Sequence, residues 1–159
     1  MVEREREERI VAAARALVGV RFRLHGRCPA SGVDCVGLVA AALEGGGLAG
    51  VRAAAPCGYR LRGGRAEDHV AALRAAGLIP VDDERPGDVL LVRAGVAQFH
   101  LMVATGIGDG VGHVHAHAGL GRVVEMPGSS PWPVLGRWRV GLQAASAMAD
   151  AADATGSEE

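Results

Sequence analysis

From Pro86 onward the chain changes its period, and that change limits the folds open to it. Before it, apolar residues recur three and four apart. Ile10, Val11, Ala14, Leu17 and Val18 form one stripe, Arg4–Glu8 and Glu5–Arg9 are i,i+4 pairs on the wet face, and Gly19 ends the run. After Pro86-Gly87-Asp88, a turn, come short apolar runs separated by Gly-rich turns: Val89 to Val92, Gln98 to Thr105, His113 to Ala118, Arg122 to Met126 and Leu135 to Leu142. Helices first and antiparallel strands afterwards predict an α+β domain with the helices packed on the sheet.

Two more helices complete the first half. Asp34 stands where a cap is favoured, ahead of a helical run from Cys35 through Leu43 that Gly45-Gly46-Gly47 stops. Another covers about Arg65 to Ala76, with Val70 and Leu73 inward and Gly77 as its C-cap. Val20 to Val33 reads as a loop, and so does the stretch through Tyr59 to Gly63-Gly64. A length of 159 residues suits one domain, placed at 1–142, followed by an Ala-rich tail at 143–159, flexible or ordered by a partner.

Composition excludes several functions. Net charge is −1 with signs interspersed, so no basic stripe tracks a nucleic acid and no polybasic run targets a membrane surface. No apolar run is long enough to insert into a bilayer. The charged start, Val2 to Arg9, lacks the apolar core of a secretory signal, which implies synthesis in the cytoplasm without export by a signal peptide. Three cysteines, Cys28, Cys35 and Cys57, are too few and odd in number for a disulfide framework.

That leaves one thiol to be reactive, and Cys35 has the setting for it. A helix start offers unpaired N–H groups and the positive end of the macrodipole, both of which favour a thiolate and an oxyanion. Gly32 and Gly37 keep bulk low around the sulfur. These local residues fit an inert buried thiol equally well. His100 adds a base at the start of an apolar strand, where a ring can reach a helix packed on the sheet, although alone it would also fit a surface histidine. His113, His115 and His117 share one strand face, and one of them can orient the base. Three such histidines also suit a metal, but only Glu125 and Asp109 lie near to complete a ligand set, so no metal is assigned.

At this point the residues resemble a known family. Gly19-x-x-Phe22-x-x-His25-Gly26 followed by Gly32-Val33-Asp34-Cys35-Val36-Gly37-Leu38-Val39 is similar to the nucleophile block of NlpC-type papain-like cell-wall peptidases. Pro86-Gly87-Asp88-Val89-Leu90, the strand with His100, and Val114-His115-Ala116 follow in the same order, over roughly residues 8 to 142. Phe22-Arg23-Leu24-His25-Gly26-Arg27, Tyr59-x-Leu61 and Gly121-Arg122-Val123-Val124-Glu125 resemble its phage-tail branch, which includes gene transfer agents.

The resemblance implies a papain-like fold with the Cys helix on an antiparallel sheet, and no cofactor. It implies that Cys35 attacks, His100 serves as base then acid, and His115 orients it; parity leaves His113 and His117 open for that last role. It implies cleavage of the D-glutamyl–diaminopimelate bond of the peptidoglycan stem peptide, by a component assembled with tail or baseplate proteins of a phage-like particle and acting in the cell wall. Substrate contacts would fall to Asp34, Phe22 and His25, with Asp34 also the helix cap. Two positions depart from the family's usual wording: Phe22 stands where Tyr is usual, and Val36 where Ser commonly follows the Cys.

Overall fold

Helix α1 (Glu3–Ala16) forms where the stripe predicts it and buries Ile10, Val11 and Ala14, with its Arg4–Glu8 and Arg9–Glu5 pairs made in solvent. Helix α2 (Cys35–Gly45) is different in kind. It is buried on almost every side, through Val36, Gly37, Leu38, Val39, Ala40, Ala42 and Leu43, because it lies between α1 and the sheet. Each fully buried Leu or Val there contributes about 1.5–3 kcal/mol. Two shorter helices follow, α3 (Val51–Ala54) and α4 (Ala66–Ala75). The structure, a computed structural model, describes residues 2–142 and 144.

The strands are β1 (Arg27–Cys28), β2 (Gly32–Val33), β3 (Leu78–Val81), β4 (Val89–Gly95), β5 (Gln98–Ile107), β6 (Gly110–His117), β7 (Arg122–Pro127) and β8 (Val134–Val140). The last six make one sheet in the order β3-β8-β4-β5-β6-β7, every neighbour antiparallel. Alternation gives the sheet two faces. Val89, Leu91, Leu101, Val103, Val114, Ala116 and Val123 face the helices and build the main core with Ile10, Leu38 and Leu43. Leu90, Val92, Met102 and Ala104 face the other way, under Met126, Trp132 and Val134. The α+β class is as expected from the change of period.

Several boundaries differ from the sequence reading. The segment from Val20 to Val33, read as loop, contains the β1–β2 hairpin, and its first residues run along β7 through Gly19 N to Val123 O and Phe22 N to Gly121 O. Leu78–Val81 is a strand that the pattern did not reveal. Pro80 sits within it, tolerated because β3 is at the sheet edge. The last strand is Val134–Val140, not Leu135 to Leu142. The Ala-rich tail at 143–159 lies outside the described residues, Ala144 excepted. Among the described residues no helix is long and apolar enough to cross a membrane.

One close approach fixes where α2 begins. A Cβ on Gly37 would lie 2.1 Å from the carbonyl oxygen of Gly26 and 3.3 Å from the Val33 Cβ, so only glycine lets the helix start nest against the β1–β2 hairpin. Gly37→Ala is therefore expected to lower unfolding stability by about 1–3 kcal/mol, as overpacking does. A urea-unfolding midpoint unchanged from the parent chain would contradict this close approach.

Candidate active site

The site is built around a buried carboxylate. Asp34 caps α2: its Oδ1 accepts the Gly37 N–H at 2.9 Å, and its backbone carbonyl accepts Leu38 N at 2.9 Å. The same Oδ1 receives Arg27 Nη1 at 3.0 Å. Oδ2 accepts the His25 N–H at 2.7 Å and the Tyr59 hydroxyl. His25 holds its amide there from a left-handed backbone, φ 61°. Arg27 continues to the Tyr59 hydroxyl at 2.9 Å and the Pro56 carbonyl at 2.6 Å. Cys35 follows directly as the first residue of α2, half-buried, while Cys28 and Cys57 are exposed and free. With Gly37 and Leu38 committed to Asp34, the amides of Cys35 and Val36 are the donors of that turn with no oxygen partner among the described residues.

The histidines come from β5 and β6, inner strands of the sheet, beside this helix start. His100 lies in β5, opposite Val92 of β4, and its ring points away from the helix face with Met102 and Ala104. Its Nε2 is 3.0 Å from Nδ1 of His115 in β6. Trp132, from the turn between β7 and β8, stacks edge-on against both rings, with centroids at 5.8 Å and 5.4 Å. Cys35, His100 and His115 line one cleft of about 120 Å³, together with Phe22, Tyr59 and Trp132. The Cys35 sulfur lies against the backbone N–H of Leu101, the residue after His100. A larger cavity of about 390 Å³ between α2 and α4 is lined almost wholly by apolar residues and shares only His69 with this cleft, so the candidate site is the smaller cleft.

The three same-face histidines differ in their partners. His115 meets His100, His113 Nε2 meets Glu84 Oε1 at 2.7 Å, and His117 Nδ1 accepts the Leu120 N–H at 3.1 Å. Among the described residues no three His, Cys, Asp or Glu side chains converge to hold a metal ion. Phe22 is on the cleft wall; His25 is not, its ring packing edge-on against Tyr59 at 4.6 Å. Asp34 lines the cleft only at its floor, at 1% exposed and with both oxygens filled. Sequence reasoning singled out neither Arg27 nor Trp132 as a site residue. Trp132 carried a signal, a lone large aromatic between two prolines in a polar turn, whereas Tyr59 was noted only as part of a motif.

The electrostatics differ from the thiolate expected at a helix start. Burial pushes the Cys35 thiol up to about 12, the neighbouring Asp34 carboxylate adds to the rise, and the Leu101 and Val36 N–H groups oppose it. Burial is the larger cause, and the cap adds to it, because Asp34 places a negative charge on the helix end that would otherwise have favoured the thiolate. Burial likewise pushes His100 down to about 3, with the His115 and His117 rings adding to it, and His115 down to about 4. At rest the site holds a neutral thiol beside neutral imidazoles.

No protein-family model matches the sequence, and no curated protein sequence does either. Solved structures do match. The P60 domain of antigen MAP1204 from M. avium subspecies paratuberculosis superposes with a TM-score of 0.55 at 22% identity, covering 87% of this chain and 96% of that one. RipB of Mycobacterium tuberculosis, described as a peptidoglycan hydrolase, gives 0.51 at 19% identity, over 87% of this chain and 66% of its own. NlpC1 from Trichomonas vaginalis gives 0.53 at 18% identity over 84% of this chain, which spans only 44% of that protein. The fold is thus the α+β, papain-like one of NlpC/P60 domains.

Since alkylation rate follows the thiolate fraction, iodoacetamide should modify Cys35 in the native protein with a half-maximal pH above that of the same cysteine in the urea-unfolded chain, where about 8.5 is ordinary. The rise has the sign of burial: native structure disfavours the anion, so more alkaline solution is needed to form it. A native value below the unfolded one would mean that an ion pair with His100 outweighs burial.

Proposed function

We infer that this chain is a cysteine peptidase acting on bacterial peptidoglycan. The observation that carries the reading is a half-buried thiol at a capped helix start, in one cleft with a His100–His115 pair at 3.0 Å. His100 Nε2 is committed to His115, which leaves Nδ1 to take the thiol proton as Sγ attacks the scissile carbonyl. The oxygen then gains negative charge beside the Cys35 and Val36 amides, where each well-placed donor contributes about 2.7–4 kcal/mol to the transition state. The His100 imidazolium gives its proton to the departing amine. Water hydrolyses the resulting thioester, with His100 taking a proton from that water and returning it to the sulfur. A neutral resting pair suits this order, because charge forms only once substrate has displaced water from the cleft.

Support for the substrate is of two kinds. The fold is shared with RipB, a peptidoglycan hydrolase, and the nucleophile and histidine blocks have the wording of the NlpC-type family. On that wording the bond cut is the one between D-glutamate and diaminopimelate. The Phe22–Arg27, Tyr59-x-Leu61 and Gly121–Glu125 segments favour a phage-tail or gene-transfer-agent component that opens the wall locally, carried in a particle with tail or baseplate proteins. Phe22 lines the cleft and would meet the stem peptide through its ring alone. A second reading, a tail-tip module whose site is held inactive, is favoured by one observation, the rise of the Cys35 thiol.

Digestion of purified diaminopimelate-type peptidoglycan, with the new termini identified by mass spectrometry, decides between them. The parent chain should release stem-peptide fragments with a new diaminopimelate N-terminus. Cys35→Ala should release none, and His100→Ala should slow release by about 10²–10⁴-fold. Unchanged hydrolysis by Cys35→Ala, or none by the parent chain after tail-protein assembly, would overturn the reading.

A further inference from the structure

Two ring nitrogens on strand β6 are buried with no hydrogen-bond partner among the described residues: Nε2 of His115 and Nδ1 of His113. Both side chains are sealed, at 0% and 1% exposed, and alternation puts them on one face, two residues apart. The other nitrogen of each ring is committed. His115 Nδ1 meets His100 Nε2 at 3.0 Å, and His113 Nε2 meets Glu84 Oε1 at 2.7 Å. Arg137 Nε donates to the second Glu84 oxygen at 3.3 Å, which fixes the carboxylate between the two partners.

The hydrogens then follow by bookkeeping along the chain of rings. A carboxylate only accepts, so His113 carries its hydrogen on Nε2 and presents a lone pair at Nδ1. For His100 to receive the thiol proton at Nδ1, its own hydrogen sits on Nε2 and is donated to His115 Nδ1. That places the His115 hydrogen on Nε2. The two unpartnered atoms are therefore one donor and one acceptor, on rings two residues apart on one buried strand face. Buried polar groups are nearly always satisfied, and one enclosed water would satisfy both, accepting from His115 Nε2–H and donating to His113 Nδ1.

We propose that Glu84 and His113 are positioning residues of this site, linked to His115 through one buried water, and that the Glu84 carboxylate fixes the tautomers of His113, His115 and His100 so that His100 Nδ1 is left open to Cys35. The proposal rests on the reading of Cys35 and His100 as the reacting pair. It assigns a role to a histidine and a carboxylate that lie on the far side of His115 from the cleft. Neither touches substrate; both act through His115.

Long-range ¹H–¹⁵N correlation spectra of protein labelled with ¹⁵N-histidine read the tautomers directly, whether or not the chain hydrolyses anything. In the parent chain His113, His115 and His100 should all carry their hydrogen on Nε2. Glu84→Gln is nearly isosteric. Arg137 should keep the amide oxygen and turn the NH₂ toward His113, reversing that ring and lowering the Nε2–H share at His115 and His100. Hydrolysis by this variant should fall about 10–100-fold in kcat with KM unchanged, the usual effect of removing an outer partner. His113→Phe, which removes the acceptor but fills the space, should shift His115 and His100 the same way and serves if Glu84→Gln does not fold. His115 found with its hydrogen on Nδ1 in the parent chain, or wild-type tautomers at His115 and His100 in a folded variant, would overturn the proposal. Tautomers as expected in a chain that cleaves no peptidoglycan would leave the linkage standing and fail the peptidase reading instead.

Discussion

Asp34 is almost completely buried, and a carboxylate in that place is tolerated only because four donors reach it: the Gly37 and His25 amides, Arg27 and the Tyr59 hydroxyl. Those donors come from the helix start, the β1–β2 hairpin and the segment before α4, so one side chain ties together three parts of the molecule that share no regular hydrogen bonding. Removing a partner from such a buried charge typically costs about 3–5 kcal/mol. The position of the thiol depends on it, since Cys35 is the next residue and its helix begins where Asp34 caps it. The same carboxylate helps to hold the resting thiol protonated. Fixing the thiol and quieting it are two effects of one charge.

The base side of the site is organised by the sheet. Alternation turns His100, His113 and His115 away from the helix face, and the antiparallel neighbours β5 and β6 bring two of those rings to 3.0 Å. Trp132 packs edge-on against both, and burial lowers their basicity. A neutral site stores no charge before substrate arrives. It also makes hydrogen placement within the rings the variable that decides whether His100 can accept a proton.

Much of this was legible in the sequence where local rules suffice. The Asp34 cap, the helix behind Cys35 and the strands after Pro86 each follow from neighbours a few residues away. Parity placed His113, His115 and His117 on one face but could not choose among them, because the choice depends on which ring β5 brings opposite. The edge strand at Leu78–Val81 was hidden by its Pro80, and its pairing partner β8 lies some sixty residues further on. The saturation of Asp34 was likewise out of reach: Tyr59 and Arg27 meet it from 25 and 7 residues away, through loops whose path no periodicity records. The rise of the Cys35 thiol was missed for a related reason: burial, its larger cause, is set by distant segments, and a helix start favours an anion less once its end is already occupied by one.

The central claim is that Cys35 carries the acyl group of a peptide substrate. Acid-quenching the protein with a stem peptide during turnover, then mapping the digest by mass spectrometry, tests it most directly. The acyl fragment should appear as added mass on the peptide containing Cys35, and should build up when His100 is replaced by a residue that cannot activate water. Product formation with no adduct there, or an adduct on Cys28 or Cys57 instead, would contradict the account.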